Sequence, residues 1–449
     1  MPRLSHFALT IAAVLLLAPA AASAQGLKSD NVTVVGKLPD SAGAIGARFS
    51  PDGDTMYVTS ATGLGIYDIT APEAPQLLSR LPLPHFENED VDVGRDTVVI
   101  TNDPSFSSVG MIYLIDVSDP AAPAVRSALP TSLGGLADGD TGNGHIANCI
   151  AGCDYLYTTG TSEGLAIYDI RDLANPRFVK TFAIPGNGFT HDVHVDSQGI
   201  AWVTGEDGTF GFDTTDPLNP RLVLRSDENV TNTGGGLPGD DGSGPLDFLH
   251  HNMLRLSADT VAVTEEDYLK PGCDGQGSLQ TWGITDERNS DGSQKLKLLD
   301  LWTTELNELA SLEGRSPATI NCSAHWFDES GGLLAQGWYD QGVRFLDVSQ
   351  PDEIRQVGYY ATAGSFWAAY FAPTDPDHEI VYAIDVTSGV DVLRIDRSGA
   401  LPTVRKAASS RDLRRARTAF APHARWGLVC QLPSTDVTSA VSGITGQSR

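Results

Sequence analysis

Sulfur and positive charge are scarce in this 449-residue sequence, and each shortage closes off a class of function. The five cysteines, Cys149, Cys153, Cys273, Cys322 and Cys430, match no closed zinc-site spacing, which excludes ribbon and finger modules. Lys and Arg number 30 against 57 Asp and Glu, a formal net charge of −27. Such a surface repels nucleic acid and anionic membranes. Beyond the first residues no stretch is apolar enough to span a bilayer. The G-x-S-x-G elbow, the Walker loop and H-E-x-x-H are all missing, so serine-hydrolase, P-loop and zincin chemistry have no anchor here.

What is present begins with a secretory start. Met1–Ala24 combines Arg3, an apolar run at Phe7–Leu17 and a small-residue cleavage site at Ala22–Ala24, the pattern of a signal peptide. The expected location is secreted or periplasmic, with no integral membrane segment after signal removal. In an oxidising compartment Cys149 with Cys153 and Cys273 with Cys322 are the expected bridges, although spacing alone leaves connectivity open. Residues 397–449 hold nine Lys/Arg and two Asp/Glu and read as a basic, disordered tail, an arm docking on the acidic body being the alternative. The body, 25–396, is then near −35, a balance that serves solubility and attracts cations such as Ca²⁺.

The body repeats one phrase: IYDITAPEAP (66–75), LIDVSDPAAP (114–123), IYDIRDLANP (167–176), GFDTTDPLNP (211–220) and FLDVSQPDEI (345–354). TWGITDERNS (281–290) and VLRIDRSGAL (392–401) are degraded copies. Seven units emerge, mostly about 45–55 residues apart, a propeller period. Each reads as four short strands, the third ending in the phrase. The expected fold is all-β, a seven-bladed β-propeller of four-stranded blades. Val32–Leu38 matches fourth strands, whereas the seventh unit stops after its third. The N-terminal strand is therefore expected to complete the last blade and close the ring, removing open edges. The phrase aspartates Asp68, Asp116, Asp169, Asp213 and Asp347 are expected to cap tight turns rather than to act in catalysis.

The stretches Leu64-GIYDIT, Ile112-YLIDVS, Leu165-AIYDIR and Val343-RFLDVS resemble the LVIVD repeat of exported bacterial propellers. The resemblance covers about 25–396, is clear in five units of seven, and implies fold rather than activity. In fold and in carrying one histidine per blade, the chain is also similar to the selenium-binding (methanethiol oxidase) propellers, which use histidines for copper. The carotenoid oxygenases, which hold iron with four histidines, are similar in the same two respects. Neither family's motifs map here residue by residue.

His145, His191 and His251 align without a gap at the start of the first strand, and His325 falls two residues later in its copy. First strands line a propeller's channel, so the ring positions are Ile45, Glu89, His145, His191, His251, Ser323 (with His325 just after) and Trp367. Imidazole and carboxylate are ligands for first-row metals. His145, His191, His251, His325 and Glu89 are therefore the expected metal site, for Fe, Cu, Zn or Mn. His194 falls on the opposite strand face from His191, and His250 is the alternative to His251. Glycine-rich loops leading to the same mouth carry Asp138, Asp140, Asp240 and Asp241, as outer acceptors or Ca²⁺ ligands. Glu206-Asp207 and Glu265-Glu266-Asp267 follow second strands and read as solvated loop charges. The competing account of the histidines is structural: channel strands carry polar residues that bond to water or to neighbouring blades.

Three functional classes remain. One is an exported binding or scaffold propeller, recognising a protein, glycan or small molecule through its channel-mouth loops. The second is a metal-dependent oxidoreductase with the multi-histidine site. The third is a Ca²⁺-dependent, lactonase-like hydrolase. Propellers host all three, so fold does not choose. By residues alone the first is narrowly preferred.

Overall fold

The structure is a computed structural model that describes residues 27–83, 90–102, 110–131, 144–160, 164–186, 188–231, 249–267, 277–304, 321–362 and 364–398. The signal segment, Glu89, the four loop aspartates, Cys273, Cys430 and the tail beyond 398 lie outside the described residues. Twenty-nine strands and one helical turn, Glu228–Thr231, make up the described regular structure.

The strands pair as antiparallel meanders in chain order. Ala44–Phe49, Thr55–Ser60, Gly63–Asp68 and Gln76–Pro82 form one such sheet. Asp90–Gly94 through Ala124–Thr131 form the next, and Ala147–Ile150 through Arg177–Phe182 another. Second strands are β-branched or aromatic and buried on both faces, as in Thr97–Asn102 (TVVITN), because each sheet is covered on both sides. Fourth strands alternate exposed and half-buried residues, as in Gln76–Pro82, the pattern of an outer rim.

Two sheets depart from the uniform four strands expected. Leu27–Lys28 adds a fifth strand outside Arg355–Ala361. Arg221–Ser226 pairs in parallel with Gln294–Trp302, merging two four-stranded runs into a sheet of eight. Both additions cover rim groups that would otherwise be unpaired. Val32–Lys37 pairs antiparallel with Gly389–Ile395, Val32 opposite Ile395 and Lys37 opposite Asp391.

The first strands lie side by side in chain order: Ala44–Phe49 against Asp90–Gly94, then Ala147–Ile150, Thr190–Val195, Leu249–Arg255, Phe327–Ser330 and Phe366–Phe371. The last of these packs back on Ala44–Phe49. Hydroxyls tie several units to the next one's turn phrase: Ser79 Oγ donates to Pro120 O (2.6 Å), Tyr157 OH to Pro217 O (2.6 Å) and Tyr382 OH to Pro72 O (3.0 Å). The phrase aspartates cap turns as expected. Asp68, Asp116, Asp213 and Asp347 each accept a backbone N–H two residues on, at 2.9 to 3.0 Å.

Cys149 and Cys153 are bridged across their tight turn, and Cys322 is also disulfide-bonded. Among the described residues no helix is long and apolar enough to cross a membrane.

Candidate metal centre

The histidine position is made by a β-bulge. In Thr190–Val195 the register slips between Thr190 and Val193, and in Leu249–Arg255 between His250 and Met253. His191 and His251 each sit inside that slip. A bulge re-aims side chains that a regular strand would send elsewhere, and here it turns imidazoles towards one another.

For three of the four histidines a threonine at the end of the preceding unit's second strand fixes the position. Thr101 Oγ1 donates to His145 O (2.7 Å) and Thr204 Oγ1 to His251 O (2.6 Å), while Thr159 Oγ1 donates to His191 O. Each bond runs from one unit to the histidine of the next. Gly337 serves the same end for His325. A Cβ there would lie 2.7 Å from the Trp367 carbonyl, the group on which His325 depends.

Four imidazoles converge, and all are buried: His145, His191, His251 and His325 are at most 3 % exposed. Ring centroids are 4.5 Å apart for His145 and His191, and 4.2 Å for both His191–His251 and His251–His325. Hydrogen bonding to backbone carbonyls fixes the tautomers of two of them. His191 Nδ1 lies 3.1 Å from His251 O and His325 Nδ1 lies 2.7 Å from Trp367 O. A carbonyl only accepts, so both Nδ1 atoms carry the proton and both Nε2 atoms carry a lone pair. His251 Nδ1 lies 3.2 Å from Asn252 Oδ1, which leaves its Nε2 a lone pair with no hydrogen-bond partner.

His145 Nε2 lies 3.0 Å from His191 Nε2, and since the latter carries the lone pair, His145 donates to it. Glu266 Oε2 lies 3.9 Å from His191 Nε2 and 3.7 Å from His251 Nε2. Burial pushes the pKa values of His191 and His251 well below the ordinary histidine value, with the neighbouring imidazoles adding to the effect. Burial likewise takes His325 down to about 3. Two nitrogens on one first-row ion are roughly 2.9–3.4 Å apart, given bonds of about 2.0–2.1 Å, so the His145–His191 spacing fits shared coordination. His191, His251 and Glu266 offer ligand atoms within 4.8 Å of one another. The donor set is nitrogen-rich, which suits Zn, Cu, Fe or Mn better than Ca²⁺.

Glu266 corrects the sequence reading. Instead of a solvated loop charge it closes the strand Thr260–Glu266 at 0 % exposure, and Glu265 and Asp267 are also buried. The strand end is covered by the neighbouring turn, from which Tyr339 OH donates to Glu266 Oε1. His250 turns away, its Nδ1 2.8 Å from Thr209 Oγ1 and its ring on Trp282. His194 lies further along its strand, with its pKa taken down to about 4 by burial and then by Arg48. Ser323 Oγ accepts the Asp267 N–H at 2.8 Å. Ile45 and Trp367 pack with Tyr339 and Val386 as an apolar wall. A small cleft beside Thr190, Gly205 and Asp207 opens next to this cluster without including its histidines.

Sequence reasoning also missed the threonine clamps, although the signal was present. Thr59, Thr101, Thr159, Thr204 and Thr264 recur at second-strand ends, in YVTS, VITN, YTTG, WVTG and AVTE.

No protein-family model and no curated protein matches the sequence. In structure the chain is similar to the β-propeller domain of Cps50 (Swd1) from Myceliophteria thermophila, with TM-score 0.52 and 9 % identity over 81 % of this chain and 100 % of that one. At that identity the likeness speaks for fold alone, and with the sheets described above it makes this chain a β-propeller.

Proposed function

We propose that this chain is an exported, seven-bladed propeller of the LVIVD-repeat kind, its ring closed by the N-terminal strand, and that it works as a metal-dependent oxidoreductase. His145, His191, His251 and His325 would hold one first-row transition ion, with Glu266 as a carboxylate partner; Glu89, expected in that role, lies outside the described residues. One observation carries the reading: His191, His251 and Glu266, all buried, offer ligand atoms within 4.8 Å of one another, with the His145 and His325 rings beside them. The ion would act as a redox centre or Lewis acid, and the chain supplies its orientation and the exclusion of water. The nitrogen-rich donor set speaks against the Ca²⁺-dependent hydrolase. A binding or scaffold role is what the propeller fold suggests by itself, and it remains compatible with the channel-mouth loops.

Elemental analysis of protein purified from an exported fraction tests the reading, beside the His145→Ala/His191→Ala/His251→Ala variant. Roughly one equivalent of Fe, Cu, Zn or Mn, lost in a folded variant, is the expected result. Wild type that stays metal-free after reconstitution would sink the metal reading and leave the binding role.

A further inference from the structure

Each first strand runs away from the histidine cluster and each second strand returns to it. The hairpins joining the two therefore share one face, at the opposite end of the sheets from the histidines. That face carries unbalanced negative charge. Asp52, Asp54, Asp96, Asp259 and Asp377 are exposed on its hairpins, and none of them pairs with a cation among the described residues. The arginines beside them are already engaged, Arg95 with Asp154 at 2.5 Å and Arg255 with Asp196 at 2.7 Å.

The chain leaves its last strand on this same face. After Gly389–Ile395, Asp396 N donates to Asn31 O (2.9 Å). Asn31 also keeps a buried Oδ1 with no hydrogen-bond partner, an acceptor left open where the chain exits. Arg397 is clamped between two neighbouring hairpins: its guanidinium donates to Ser330 O (3.0 Å) and His378 O (3.0 Å) and lies 6.0 Å over the Phe371 ring. One arginine of the C-terminal segment is thus seated on the hairpin face. Farther along, residues 405–425 hold seven Lys/Arg against the single acid Asp412.

We propose that residues 405–425 dock on the hairpin face of their own molecule, as a basic arm anchored at Arg397 and covering the end of the propeller away from the histidines. The eight residues from Arg397 to Arg405 span up to about 27 Å when extended, enough to carry the arm across neighbouring hairpins. Exposed ion pairs are individually weak. A short tether, however, presents the arm at roughly millimolar effective concentration, so several such pairs act together. The arm leaves the histidine end open to ligands, and its docking is independent of whether that end holds a metal.

Zero-length carbodiimide cross-linking of the full chain, read by peptide mass spectrometry, tests the proposal. Lys406 is the single lysine beyond Arg397, so its links report where the arm lies. The expected links run from Lys406 to Asp52, Asp54, Asp96, Asp259 or Asp377. They should fall on the order of tenfold in about 1 M salt, where screening acts within about 3 Å. A mixture of heavy-isotope-labelled and unlabelled protein separates links within one molecule from links between two. Links found only between molecules overturn the proposal and place the arm on a second copy. Links to carboxylates outside the hairpin face, or no Lys406 links at all, overturn it as well. Links that salt leaves unchanged remove its electrostatic basis and overturn it too.

Discussion

Near the starts of the first strands four histidines meet the Glu266 carboxylate from the end of a second strand; a second cluster on the first strands holds Arg48, Asp90, Asp92, Asp192, His194 and Asp328. Both clusters are polar and enclosed, yet they are balanced differently. The second contains its own counter-charge. Arg48 nitrogens lie 3.9 Å from both Asp90 and Asp92, and its guanidinium lies 4.8 Å over the Trp326 ring. Burial opposes the Arg48 charge, but Asp90, Tyr370, Asp92 and Asp192 outweigh it and hold the guanidinium above its ordinary value. Backbone N–H groups finish the work, Cys149 N on Asp92 (2.6 Å) and Phe371 N on Asp328 (2.9 Å). Burial pushes the carboxyls of Asp92 and Asp328 up to about 6 and that of Asp192 well above its ordinary value, so bound protons add to the neutralisation as pH falls towards about 6. The histidine cluster is built differently, of stacked neutral imidazoles around one carboxylate. Among the described residues, the three ligand atoms within 4.8 Å of one another belong to His191, His251 and Glu266, not to the aspartates. A buried cluster that carries its own cation serves the fold, whereas imidazoles gathered with a carboxylate are the ligand types of a first-row ion.

The contrast breaks most directly at Arg48. Arg48→Met keeps much of the side-chain volume and strands Asp90 and Asp92 without a counter-charge. A loss of about 3–5 kcal/mol is expected in urea denaturation. A loss under about 1 kcal/mol would mean that protons alone neutralise the aspartates, and the cluster would no longer be self-balanced by Arg48. Next in size is the metal effect. A first-row ion at a hundredfold excess over its Kd should stabilise wild type by about 2.7 kcal/mol, reversibly on chelation, and should leave His191→Ala/His251→Ala unchanged. Equal stabilisation of both proteins would place the ion elsewhere.

The repeating phrase, the turn aspartates and the first-strand histidines were legible because each recurs at the same place in successive units. Glu266 was not, because it ends a second strand whose acidic neighbours, Glu265 and Asp267, look like loop charges. Only packing against the turn at Tyr339 buries it. The parity argument that separated His194 from His191 assumed a regular strand, whereas the register slip at Thr190–Val193 gives this strand one extra residue. Sheet size was misjudged for a similar reason. The parallel pairing of Arg221–Ser226 with Gln294–Trp302 joins units through an insertion with no repeat to announce it. Recurrence reveals what every unit shares, and the site depends partly on what single units do differently.

Two smaller effects sharpen the comparison. Thr101→Val removes the hydroxyl that the buried His145 carbonyl accepts, at an expected cost of about 1–3 kcal/mol in urea denaturation. It should also weaken metal binding, whereas a substitution in the Arg48 cluster should not. Unchanged stability would mean that the clamp contributes nothing net.

The smallest effect is a slope. Burial raises Asp328 from 3.8 to about 6 in the folded chain, so between those values the folded state keeps a proton that the unfolded chain has released. Its contribution is full below about 4 and is lost as pH rises through about 6. Asp92, raised to about 6 by burial, acts in the same window. Asp213, held down to about 2 by the Thr215 hydroxyl and backbone N–H and by Arg221, acts in the opposite sense and at lower pH. Asp328→Asn should therefore flatten the fall in stability between about pH 4.5 and 6.5, by on the order of 1 kcal/mol, since the side chain keeps some contact with solvent. Urea denaturation of both proteins at the two pH values measures it. Parallel behaviour would mean that Asp328 stays ionised across the range, leaving Arg48 rather than bound protons to neutralise this half of the channel.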